Sequence, residues 1–264
     1  IFQSAWMACF ASRGPSAGLR LPRKAGPFMM SELSYLYTHE VPVDPAEHMI
    51  RQNLALLKPF GIGVTTERPW FTPTQDDQHA ARTWLTKHGV TADREIVVVY
   101  PGTKWPPKRW HAERFQRLVE QLQSNGLSVI LAGAAEDRPL AQAVARNVHP
   151  APLILTGVSL STVAALIKRA SLFIGNDGAL MHLAAAQGTP IVALFGPTLP
   201  ERTGPLGAPA LAITKPIGCR PCRLYHTRDT CQRGHNYCMD LIEVEEVWAA
   251  TQALLRERSG ACPV

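Results

Sequence analysis

The segment PGTKWPPKRW (101–110) places Thr103, Lys104, Lys108 and Arg109 directly behind a short apolar run, EIVVVYPG (95–102). A glycine–threonine turn offers backbone N–H and hydroxyl donors. Nearby ammonium groups can neutralise the charge that a diphosphate develops as it becomes a leaving group. The spacing is neither GxGxxG nor a Walker A loop, which argues against NAD and ATP chemistry. The same residue types would also make an ordinary basic loop.

A second constellation follows another apolar run: Asp177, Gly178, Ala179, Leu180, Met181 and His182. Asp177 stands where a helix N-cap belongs, and the small Gly178 and Ala179 would let a ligand approach the first helical N–H groups. His182 lies one turn further, on a face that could view the same ligand. The plain alternatives are a structural cap and a core histidine. Glu136, behind a third run, could accept the paired hydroxyls of a ribose. It is equally an ordinary first-turn acid favoured by the helix dipole.

Cys219, Cys222, Cys231 and Cys238 form C-x2-C-x8-C-x6-C with His226 and His235 inside the span, while Cys9 and Cys262 lie far outside it. Four cysteines so close resemble a structural zinc site, with reduced thiols or a disulfide as alternatives. Beside Arg220, Arg223, Arg228 and Arg233 they also admit a zinc-based nucleic-acid-binding module. Against that stand the scarcity of interleaved aromatics beyond Tyr225 and Tyr237, and a large α/β region such a module leaves unexplained.

These residues need elements to hold them. Short apolar runs at 95–102, 127–133, 153–157, 171–175 and 189–196 read as buried strands. Helical patterns lie between them, at 112–126 (Phe115, Leu118, Val119 and Leu122 on one face), 136–148, 161–170 with Ser161 as N-cap, and 178–188. Strands alternating with helices of about ten residues predict a parallel sheet covered on both faces, a Rossmann-like doubly wound α/β domain. Ligands of such sheets bind beyond the carboxyl ends of the strands, where all three constellations fall.

The earlier residues predict a strand at 38–43 and a helix over 49–62 ending near Gly61. The polar stretch TPTQDDQH (72–79) marks a boundary, with a helix at 76–89 beyond it and a closing helix at 244–257. Two domains are expected: residues 1–72, the remnant of an N-terminal domain, and residues 73–264. No internal repeat is present.

Composition agrees. Of 264 residues, 46% are hydrophobic and 18% charged, enough apolar material for a core and too much for intrinsic disorder. No apolar run reaches the roughly 18 residues of a membrane span. The net charge of +6 is unevenly placed: Arg13, Arg20, Arg23 and Lys24 crowd the start, and Lys215 to Arg233 a late segment. Such clusters suit anionic partners or solvated loops. The chain opens at Ile1 inside a patterned apolar segment without a basic n-region, so the expectation is a fragment and not a signal peptide.

GNDGALMHLAAAQGTPIVALFGPT (175–198), PGTKWPPKRWHAERF and the GAAED turn together resemble glycosyltransferase family 9, the ADP-heptose:lipopolysaccharide heptosyltransferases. The likeness is strong over about 95–257 and looser before it, through SAWMACFASRG and the helix from Met49. The resemblance implies a GT-B enzyme whose C-terminal domain binds ADP-heptose and whose N-terminal domain, truncated here, binds the lipid A–core acceptor. By position, Thr103, Lys104 and Lys108 would contact the phosphates and Glu136 the adenosine ribose. Asp177, Gly178, Ala179 and His182 would line the diphosphate-sugar end. The family pattern at this turn is Asp-Ser/Thr-Gly; Gly178 and Ala179 depart from it and remove one hydroxyl donor.

The implied reaction is inverting and metal-independent, with Lys108 supporting the departing ADP. The carboxylate base belongs near the beginning of the N-terminal domain, expected to precede this chain. No cofactor is required, and a structural zinc at the four cysteines is the one metal considered. Expected partners are the nucleotide sugar and the lipid A–core acceptor, and no nucleic acid. The location implied is cytoplasmic and peripheral at the inner face of the inner membrane, where Arg20, Arg23 and Lys24 would meet anionic headgroups or core phosphates. Another nucleotide-sugar enzyme of GT-B shape, epimerase-like, is the alternative.

Overall fold

The computed structural model describes residues 38–222, 230–231, 233–258 and 260, and the backbone of 17–20. The basic residues Arg13, Arg23 and Lys24, the side chain of Arg20, and Tyr225, His226, Arg223 and Arg228 lie outside the described set, as do Cys9, Cys262 and the SAWMACFASRG segment. Two compact units divide the chain: residues 1–67 with 201–203, and residues 68–200 with 204–264.

In the first unit β1 (Ala17–Arg20) pairs in parallel with β2 (His39–Pro42). Helix α1 (Met49–Ala55) is capped by His48, whose side chain accepts from the Ile50 N–H. The expected 49–62 helix is interrupted. Its α-helical part stops at Ala55, and Lys58–Phe60 continues as a 3-10 turn closed by Gly61 at φ 66°. Pro59 is the physical reason, since its ring cannot donate to the preceding turn.

The second unit opens with α2 (Gln75–Lys87), whose N-terminus is a capping box: Thr74 accepts from the Asp77 N–H while Asp77 accepts from the Thr74 N–H. Then follow β3 (Ile96–Tyr100), α3 (Ala112–Ser124), β4 (Ser128–Gly133), α4 (Arg138–Ala145), β5 (Leu153–Thr156), α5 (Leu160–Arg169), β6 (Leu172–Asn176), α6 (Ala179–Gln187), β7 (Ile191–Leu194), β8 (Ala210–Ile213) and α7 (Val244–Arg258). The six strands form one parallel sheet in the order β5-β4-β3-β6-β7-β8. Successive strands step outward from β3, then the chain crosses to β6 and steps outward the other way. The reversal lies between β3 and β6, the place where doubly wound sheets open a crevice for ligands.

Alternation along each strand divides the core into two layers. Ile96, Val98, Ile130, Leu155, Phe173 and Ile191 face α2, α5 and α6. Val97, Val99, Leu131, Ile174, Val192 and Leu194 face α3, α4 and α7, including Phe115, Leu118, Val119 and Leu122 of α3. Both faces are covered, so β3 and β6 are buried along their whole length. Each fully buried Leu or Phe contributes about 1.5–3 kcal/mol. Helix α5 starts earlier than its sequence pattern indicates. Ser159, not Ser161, is the N-cap and accepts from the Thr162 N–H at 3.1 Å.

Candidate functional site

The turns that leave β3 and β6 side by side carry two of the three constellations. Strand β3 pairs with β6 in register, Tyr100 opposite Gly175, so Thr103 and Asp177 emerge as neighbours. The Thr103 hydroxyl donates to the Asp177 carbonyl at 3.0 Å, and Lys108 Nζ donates to Asp177 Oδ2 at 2.7 Å. All three side chains are buried. A buried ammonium and carboxylate in contact satisfy each other; either alone would carry a large desolvation cost.

Asp177 is not the helix cap its position indicates. The N-cap of α6 is Gly178, which has no side chain with which to cap the first turn. The Asp177 carboxylate turns away, towards Lys108 and towards Thr198, whose hydroxyl donates to Oδ2 at 2.5 Å. Its own N–H donates to Leu194 O at the end of β7. A glycine at the cap leaves the approach to the first turn of α6 clear of a capping side chain, as an anion-binding helix terminus requires.

The basic loop is an organised one. Arg109 donates from Nε and Nη2 to the Thr103 carbonyl, at 3.1 and 2.8 Å. Asn176, fully buried, donates from Nδ2 to Pro101 O at 2.7 Å and accepts from the Trp110 N–H at 3.1 Å. One amide thus clamps both ends of the loop that carries Thr103 and Lys108. Trp110 is fixed in turn by its indole N–H on Ile242 O and by edge-to-face packing on Phe115.

Other expected residues stand further out. Lys104 is exposed, with Nζ 5.4 Å from the centre of the Trp105 ring. Ala179 and His182 are exposed on α6, so His182 is not a core histidine. Glu136 is exposed in the 3-10 turn Ala135–Asp137 behind β4. Its neighbour Asp137 anchors that turn by accepting from the Ala134 N–H at 3.0 Å.

Tyr100, at the end of β3, is a residue the sequence reading passed over as part of an apolar run. The residue is 6% exposed and its ring lies against Gly178. Burial pushes its phenol up to about 12; Asp137 and Glu136 add to the shift and Arg109 opposes it. Thr198 and Asn176 were also passed over. The available signals were a hydroxyl after the β7 run and an amide inside an otherwise apolar strand.

The four cysteines form no disulfide: Cys238 is buried, and Cys219, Cys222 and Cys231 are half-buried. Burial pushes the Cys238 thiol up to about 11, and Cys219 and Cys231 add to the shift. Among the described residues no group of three His, Cys, Asp or Glu side chains is placed to hold a metal ion. Cys238 joins the core layer beneath α7. The segment acts as a brace: the Cys222 N–H donates to Pro197 O, Arg220 Nη2 to Thr198 O and Asn236 Nδ2 to Pro107 O.

A parallel sheet with its polar cluster at the reversal point matches known proteins. The sequence profile of glycosyltransferase family 9 (heptosyltransferase) matches residues 1–232. The chain belongs to glycosyltransferase family 9. Lipopolysaccharide heptosyltransferase 3 of Escherichia coli K12 is 28% identical over 258 residues, covering 96% of this chain and 72% of that protein. Lipooligosaccharide heptosyltransferase 2 of Haemophilus influenzae is 29% identical over 201 residues, covering 74% of this chain and 54% of that protein. The solved structure of E. coli ADP-heptose lps heptosyltransferase II superposes with a TM-score of 0.75 at 24% identity, covering 98% of this chain and 75% of that one. The family 9 chain shares that α/β fold, of GT-B type. No helix among its described residues is long and apolar enough to cross a membrane.

Proposed function

We propose that the second unit binds the nucleotide sugar ADP-heptose at the ends of β3 and β6, for transfer of the heptose to a lipopolysaccharide core. The carrying observation is the buried Lys108–Asp177–Thr198 cluster beside the glycine-capped N-terminus of α6. The relatives' printed names supply the sugar and the acceptor.

In this reading Lys108, oriented by Asp177, and the first N–H groups of α6 meet the diphosphate, with Thr103 and Lys104 on its other side. Glu136 accepts the ribose hydroxyls. Ala179 and His182 border the heptose. The acceptor hydroxyl attacks the anomeric carbon, the bond from that carbon to the β-phosphate oxygen breaks, and ADP departs with the electron pair. The hydroxyl proton passes to a carboxylate base contributed by the N-terminal part of the enzyme. Inversion follows from a single displacement. Charge on departing ADP is offset by the Lys108 ammonium and helix N–H groups, which is the role a metal would otherwise fill.

Contact with an anionic membrane face through Arg20, Arg23 and Lys24 belongs to the same proposal and rests on their charge. Charge reversal at the three should release the protein from anionic vesicles; unchanged sedimentation with the vesicles would remove it.

Calorimetric titration with ADP and then ADP-heptose, in the presence of EDTA, tests the nucleotide-sugar reading. Saturable binding that is lost in Lys108→Ala and in Asp177→Ala is expected. A folded chain that binds neither ligand would overturn it.

A further inference from the structure

Gly178 has an extended backbone (φ −170°, ψ −178°) that any residue can adopt, so its lack of a side chain concerns space and not conformation. A Cβ there would lie 3.0 Å from Tyr100 Cε1, 3.4 Å from Thr103 Oγ1 and 3.6 Å from Thr103 Cβ. The Tyr100 ring occupies the volume that a side chain at 178 would need. Gly175, paired with Tyr100 across the sheet, makes the same allowance: its Cβ would come within 2.9 Å of Tyr100 Cβ and of Tyr100 O. Gly178 thus leaves room for the Tyr100 ring, and Gly175 for the close approach of the Tyr100 backbone and Cβ, at the point where the strand order reverses.

A ring filling apolar space would be served by phenylalanine. The aliphatic residues Ile96 and Val98 precede Tyr100 on the same face of β3. Only the last position, at the carboxyl end, adds a hydroxyl. That hydroxyl lies within electrostatic reach of Asp137, Arg109 and Glu136, the charged residues of the turns behind β3 and β4.

We propose that Tyr100 is a nucleotide-contacting residue, its phenol donating a hydrogen bond to the diphosphate beside Gly178 and Thr103. The proposal rests on the reading of these strand ends as the nucleotide-sugar site. The phenol is protonated through the neutral range, as any tyrosine is, so it is available as a donor. Being rigid and nearly enclosed, it loses little freedom when the ligand arrives. Its ring lies against the turn that bears Gly178, and its hydroxyl is within electrostatic reach of the turn that bears Glu136.

Tyr100→Phe, compared with the unaltered chain in titrations with ADP and with adenosine, tests this. The expected result is an ADP dissociation constant raised about tenfold, an unchanged adenosine affinity and an unchanged unfolding midpoint. If the unaltered chain binds ADP and Tyr100→Phe binds it equally well, the role of Tyr100 is overturned while the nucleotide-sugar reading stands. Equal weakening for ADP and adenosine would overturn the assignment to the diphosphate. Absence of ADP binding by the unaltered chain would remove both readings together.

Discussion

Lys108 and Asp177 are 69 positions apart in the chain, yet their charged atoms meet at 2.7 Å with side chains 11% and 4% exposed. A pair this enclosed contributes less through net stability than through orientation. The attraction largely offsets the desolvation of two ions, whereas removing one partner leaves the other charge stranded.

Lys108→Met should therefore destabilise the fold by about 3–5 kcal/mol. Lys108→Met with Asp177→Leu should recover much of that loss while leaving ADP binding absent. Urea unfolding and calorimetric titration of the three chains check both parts. A double variant as unstable as the single one would mean that the pair itself, and not the stranded charge, holds these loops.

Thr198 donates to the same carboxylate oxygen from the turn after β7. Thr198→Val should cost about 1–2 kcal/mol and weaken ADP binding through a less firmly held Asp177, with Thr198→Ser close to the native chain. Equal ADP affinities in all three chains would show that Asp177 needs no support from β7.

Gly102 lies against the Asp137 carboxylate: a Cβ would fall 2.6 Å from both Asp137 Cγ and Oδ1. Asp137 is held there by the Ala134 N–H. Gly102→Ala should lower stability by about 1–3 kcal/mol, as overpacking does when the neighbour cannot retreat. A thermal unfolding midpoint matching the native chain would argue that the Ala135–Asp137 turn can shift freely.

Tyr100 and Cys238 set the alkaline limit. Burial raises both, to about 12 and about 11 from ordinary values of 10.0 and 9.0. The folded state then holds these protons more tightly than the unfolded chain does. The associated stability is fully present below pH 9, declines as pH rises through 9–11 for Cys238 and 10–12 for Tyr100, and is lost above those windows. Urea midpoints measured between pH 8 and pH 11 should fall, and the fall should be shallower in Cys238→Ala. Parallel curves for the two chains would remove Cys238 from this account.

Local pattern determined much of this protein. The β-runs of Val, Ile and Leu, the helical spacing of Phe115, Leu118, Val119 and Leu122, and the turn residues between them are each legible within about fifteen positions, because strand and helix periodicity are local properties. They yield the parallel α/β unit, and they place Thr103, Lys108 and Asp177 behind strands, where ligands of such sheets bind. Pattern was weakest where a local preference competed with a distant partner. Asp177 has the composition of a cap, but the buried Lys108 and Thr198 draw its carboxylate inward and leave the cap to Gly178. Tyr100 reads as one more apolar residue until β6 and the turn after it bring Gly178 against its ring. The cysteine spacing is local, but that Cys238 packs into the core under α7 is settled only by the fold. Tertiary structure alone decided which loops became neighbours, because the crossover from β5 to β6 sets β6 beside β3 and joins residues through sheet pairing and not through sequence proximity.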